Sequence, residues 1–121
     1  MMSREEAFAL LLPGLDTERP LLTADDLRAM LDESRAVLWQ GNRSAIFTQV
    51  TAYHSVAEFV CEAGPAGGDM EEIMSMIPHI ERWALQTGCT QALVHAGRSG
   101  WARKLEPLGY EHYQTTLRKF L

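Results

Sequence analysis

Between Asp69 and Gly88 the apolar residues Ile73, Met76, Ile77, Ile80, Trp83 and Ala84 recur at helical spacing and leave the other positions polar. This is the strongest period in the chain, and it predicts a long amphipathic helix capped by Asp69 and ended by a left-handed Gly88. Pro78 falls inside it without a backbone N–H to give, which predicts a kink or break near 76–78. A second helix is expected over 24–34, where Leu27, Met30 and Leu31 follow Thr23 and Asp26 at capping-box spacing. A short helix over 4–12 and a turn-rich connection holding Pro13, Gly14 and Pro20 precede it.

Two segments rich in Val, Ile, Phe, Trp and Thr, 36–40 and 43–51, flank Gly41-Asn42 and read as an antiparallel hairpin. A third strand over 56–62 extends it to a meander. Ala63-Gly64-Pro65-Ala66-Gly67-Gly68 then reads as a small-residue loop before the long helix. Beyond Gly88, an apolar strand over 90–95, a tight loop Gly97-Arg98-Ser99-Gly100, a helix over 101–108 stopped by Gly109, and a β-branched and aromatic strand over 110–121 complete the chain. A strand, a long helix and a strand form a crossover with parallel neighbours, so the sheet is expected to be mixed and the class α/β (α+β).

At 121 residues the chain is the size of one domain, with 1–22 its least defined segment. It is 46% hydrophobic and 22% charged, with mean hydropathy −0.15 and no apolar run approaching the roughly 20 residues that cross a bilayer. Ala7 to Leu12 follows two glutamates and stops at Pro13-Gly14, unlike the apolar centre of a signal peptide. A cytoplasmic setting is expected, and Cys61 and Cys89 read as buried free thiols. A net charge of −5 with scattered basic residues argues against nucleic acid and membrane surfaces as partners. The four histidines lack zinc-ligand spacing and no Ser or Cys sits in a nucleophile elbow, which sets metal and hydrolase chemistry aside.

The order of antiparallel meander, glycine loop, long helix, parallel strand, short helix and final antiparallel strand resembles the GNAT (acyl-CoA N-acyltransferase) fold from its second strand onward. Two phrases carry the likeness: Glu81-Arg82-Trp83-Ala84-Leu85-Gln86-Thr87-Gly88 before an apolar strand, and Leu105-Glu106-Pro107-Leu108-Gly109-Tyr110. The chain is also similar to small GNAT-like proteins of phages and prophages. The resemblance implies acetyl-CoA as cofactor, its pyrophosphate on the backbone where the long helix begins. A pyrophosphate motif aligned with 68–73 does not match, and a shifted loop would use Ala66, Gly67 and Gly68. Asp69, Glu71 and Glu72 make the first turn acidic, stabilising the helix but repelling an anion, and Arg98 is the expected compensating cation.

The family's general-acid Tyr falls on Leu105 here, which leaves Tyr110 or Tyr113 to serve the thiolate. Glu62, nearer the splayed end of its strand than Glu58, is the expected base for the acceptor amine. Arg98 and Trp101 stand at the C-terminal end of a parallel strand, where α/β sheets place ligands, so Arg98 can grip a phosphate and Trp101 wall a pocket. Two functions stay open. One is a divergent N-acyltransferase acting on an unknown amine. The other is a binding or assembly protein of the same fold without a CoA site, cytoplasmic or, if phage-encoded, in a virion; an exposed sheet edge would allow a homodimer in either case.

Overall fold

The computed structural model describes residues 2–15, 21–95 and 99–121. Helix α1 (Arg4–Ala9) begins with a full capping box between Ser3 and Glu6 and gives way to a single 3-10 turn, Leu12–Gly14. Helix α2 (Ala24–Asp32) has the expected box from Thr23 and Asp26, with Asp26 Oδ2 accepting from Thr23 N at 2.9 Å. Arg28 of α2 bonds Glu5 of α1 and lies 4.4 Å from the Phe8 ring, joining the two short helices.

Four strands follow in sheet order β1-β2-β3-β4: β1 (Ala36–Gln40), β2 (Ser44–Tyr53), β3 (Glu58–Gly68) and β4 (Cys89–Val94). The first three pair antiparallel and β4 lies parallel to β3, so the mixed sheet stands as the strand and helix order predicts. The hairpin turn pivots on Asn42-Arg43, one residue later than expected, closed by Gly41 N donating to Ser44 O.

Helix α3 (Met70–Gln86) is continuous through Pro78; the expected break is absent because Ile73, Ile77, Ile80 and Ala84 bury one face along the whole length and hold it on the sheet. Gly88 closes it at φ 95°. Helix α4 (Ser99–Leu105), two residues earlier than expected, ends in a 3-10 turn that Gly109 stops at φ 94°. The last segment, 110–121, is exposed at nearly every residue and pairs with no strand; its strand-like composition alone does not form a ladder.

The core has two halves, one on each face of the sheet. On one, Ala7, Phe8, Leu11 and Leu27 of the N-terminal segment meet Ala45 and Phe47 of β2. On the other, Ile73, Ile80 and Ala84 of α3 meet Ile46, Cys61 and Cys89, with Trp39 and Trp83 edge to face at 5.4 Å. Among the described residues no helix is long and apolar enough to cross a membrane.

Candidate functional site

The expected small-residue loop is a strand. Residues 63–68 continue β3, because Gly67 and Gly68 remain in register with Ala45 and Ser44 of β2. An extra residue is accommodated on the way: Ile46 faces Ala66 and Thr48 faces Ala63, so Gly64 and Pro65 together oppose Phe47 in a β-bulge. Glycine is required near the end. A Cβ on Gly67 would overlap the carbonyl oxygen of Leu10, and Gly68, at φ 114°, packs against the backbone of Arg43.

On its other side β3 pairs with β4 only as far as Ala63 opposite Val94, with His95 N reaching Ala63 O at 3.5 Å. Past that rung no described residue of β4 pairs with β3. The bulged end of β3 therefore has β2 on one side and, on the other, an apolar cleft of about 380 Å³ walled by Ile73 and Ile77 of α3, Leu93 of β4, and Trp101 and Leu105 of α4. Leu105 is buried where the resemblance expects a phenol. Tyr110 supplies one five residues later: it lines the cleft and donates to Glu81 Oε2 at 2.7 Å. Burial first, and then the Glu81 carboxylate, push its pKa well above the usual phenol range, so it stays protonated. Burial also raises the thiol of Cys61 to about 11, with Cys89 and the nearby carboxylates adding to it, which leaves an inert thiol on the cleft wall.

Glu62 projects from the opposite face of β3, since neighbouring strand residues alternate and Cys61 faces α3. Its side chain is only 12% exposed and accepts from Tyr53 Oη at 2.6 Å, while His95 Nε2 lies 3.4 Å from its second oxygen. The Glu62 bond raises the Tyr53 phenol pKa. Glu58, four residues earlier, is taken up by Gln91 at 2.7 Å. Glu62 and Tyr110 thus stand on opposite faces of β3 rather than sharing one.

At the far end of the cleft, the start of α3 is occupied by the chain's own carboxylates. Asp69 accepts from Glu72 N at 3.2 Å and from Arg43 at 2.8 Å. Glu72 reaches back to the β1–β2 turn and accepts from Asn42 N at 2.9 Å and Arg43 N at 2.8 Å; Gly41 leaves it room, for a Cβ there would overlap its carboxylate. Both carboxyls lie below their ordinary pKa. The Glu72 N–H does this for Asp69, with Arg43 assisting; the Ser44 hydroxyl, followed by the Arg43 and Asn42 N–H groups, does it for Glu72.

Of the residues expected in the site, Ala66, Gly67, Gly68 and Trp101 line the cleft together with Tyr110; Glu62 does not line it but adjoins Ala63 and His95, which do. Arg98 lies outside the described residues. Arg43, absent from the sequence reading, is the cation seated at the start of α3. Tyr53, Glu81 and His95 were also missed, because each joins its partner only through strand register or the packing of the tail on α3.

No family model matches the sequence, and no curated protein matches it. Solved structures do resemble it. An acetyltransferase of Trypanosoma brucei superposes with a TM-score of 0.66 at 14% identity over 99% of this chain and 96% of that one. Glucosamine-6-phosphate N-acetyltransferase from Arabidopsis thaliana gives 0.67 at 10% identity over 97% and 90%. Ribosomal-protein-alanine N-acetyltransferase from Brucella melitensis gives 0.67 at 12% identity over 96% and 92%. The chain has the GNAT fold. At these identities the likeness is one of fold.

Proposed function

We propose that this protein is an N-acyltransferase that moves an acetyl group from a pantetheine thioester, tested with acetyl-CoA, to a primary amine. The observation that carries the reading is the cleft beside the bulged end of β3: residues 63–68 run extended along it, and the hydrogen-bonded carboxylate of Glu62 adjoins two of its lining residues, Ala63 and His95. Such an extended segment fits an amide-bearing arm, which can bond the backbone as a strand would. The apolar walls fit the same arm, so the thioester half of the cofactor suits the residues present. Ala66, Gly67, Gly68 and Trp101 border it.

When bound, the thioester supplies an activated acyl carbon. Glu62 takes one proton from the acceptor ammonium, freeing the nitrogen lone pair to form the N–C bond as the C–S bond breaks. Tyr53 holds the Glu62 carboxylate in place, and His95, exposed beside it, passes the proton to water. As the C–S bond breaks, the Tyr110 O–H turns from Glu81 Oε2 to the departing sulfur, which leaves with the second nitrogen proton. The products are the amide, the free thiol and one proton released to solvent.

Release of free thiol from acetyl-CoA, followed with a panel of primary amines, tests the reading: amine-dependent release is expected, and its absence across the panel together with no binding at millimolar CoA would sink it. One observation favours the second reading, a binding or assembly protein of cytoplasm or virion. The start of α3 is sealed by carboxylates, as it would be where no cofactor binds. A homodimer through the β4 edge is compatible with both readings.

A further inference from the structure

We infer that the cleft recognises its donor by the pantetheine arm alone and gives the nucleotide half of CoA no net grip. The inference rests on the transferase reading and specifies its donor class as a pantetheine thioester bound without a pyrophosphate contact. Three features of the cleft lead there.

The anion-binding capacity of a helix start comes from N–H groups without partners, and here the chain's own carboxylate already takes up part of it. The Asp69 carboxylate takes the Glu72 N–H, and the Glu71 N–H adds to the same lowering of its pKa. The adjacent β1–β2 turn offers two more N–H groups side by side, at Asn42 and Arg43, and Glu72 occupies both. An internal carboxylate therefore already sits on each group of donors that an incoming phosphate would use.

Charge points the same way. Among the described residues, the guanidinium that meets the acidic turn of Asp69, Glu71 and Glu72 is that of Arg43, which is committed to Asp69 at 2.8 Å. Glu71 is exposed at the rim. A pyrophosphate brought there would displace internal hydrogen bonds and meet a net negative rim, two costs that offset the attraction of Arg43.

The rest of the cleft is mostly apolar and offers no cation to a phosphate among the described residues; its one lining carboxylate, Glu81, is bonded by Tyr110. Ile73, Ile77, Leu93 and Leu105 wall the cleft, and the bulged end of β3 borders it without a strand partner on that side among the described residues. Binding strength is thus concentrated where an arm lies and absent where a nucleotide would begin.

Calorimetric titration of the full chain with CoA and with pantetheine, neither of which needs an amine or turnover, decides it. The two dissociation constants are expected to agree within about threefold, since the added nucleotide meets no net attraction. CoA binding tenfold or more tighter than pantetheine would overturn the inference and leave the transferase reading intact. Failure of both to bind at millimolar concentration would overturn the reading and the inference with it. Glu71→Lys supplies the missing charge at an exposed position that bears none of the internal bonds. It is expected to tighten CoA by about threefold or more while leaving pantetheine unchanged. Equal constants in wild type with no gain for CoA in Glu71→Lys would overturn the electrostatic cause.

Discussion

The two ends of the cleft have been built in opposite ways from the same secondary structure. Beyond the last rung of β3 and β4, polar side chains are held by one another and not by backbone donors: Glu62 is held by Tyr53 with His95 beside it, and Tyr110 is held by Glu81 on the other face. Where α3 begins, Asp69 and Glu72 have consumed the donors around them. The contrast shows that one backbone can carry an open apolar cleft at one end while local side chains take up the donors at the other. Only the residues at each end, not the shared backbone, decide what each can bind.

The comparison breaks most sharply at Glu62. Glu62→Gln keeps the shape of the side chain and its bond from Tyr53 but removes the base, and amine-dependent thiol release is expected to fall about 10²–10⁴-fold. Pantetheine binding should not change, because Glu62 lies on the other face of β3. A parallel loss of binding would mean that the strand, rather than the proton transfer, had been damaged.

Tyr110→Phe comes next. It strands the Glu81 carboxylate beside a half-buried apolar wall, and a hydrogen bond to a charged group contributes about 1.5–3 kcal/mol, reduced here by whatever water reaches Glu81. Chemical denaturation at neutral pH measures that loss, and kcat should fall more than the affinity for pantetheine. At the closed end, Gly67→Ala drives a methyl group into the Leu10 carbonyl. Overpacking of this kind costs about 1–3 kcal/mol and should loosen the N-terminal segment from β3, seen as faster amide exchange at 7–14.

Much of the fold could be read from period alone. The α3 face, the capping box of Thr23 and Asp26, and the left-handed glycines after α3 and α4 are local signals, and they appear in the structure because local preference and tertiary packing agree there. Residues 63–68 misled because Gly, Pro and Ala have low strand propensity, while pairing with β2 on one side and the Leu10 carbonyl against Gly67 hold them extended. The segment 110–121 misled in the other direction, since high propensity without a paired neighbour makes no strand. Among site residues, Glu62 and Trp101 could be proposed from their place at strand ends. Tyr53 and His95 could not, for they reach Glu62 across register, and Arg43 was hidden because its role depends on a turn folding back onto a helix thirty or so positions away.

The smallest effect tests the closed end directly. Because the Asp69 and Glu72 carboxyls lie below their ordinary pKa in the folded chain, their contribution to stability is present above the unfolded values, about 3.9 and 4.3, and is lost as the pH falls through the lower folded values. Glu72→Gln should therefore lower the Tm by about 2–4 °C above pH 5, and the difference from wild type should shrink below pH 4 as the native carboxyl itself is neutralised. Thermal melts of both proteins from pH 2.5 to 7 measure this. A difference that stays constant across the range would mean that the carboxylate charge does not hold the turn. The Asn42 and Arg43 N–H groups would then be open to an incoming phosphate, and the two ends of the cleft would no longer differ in what they can bind.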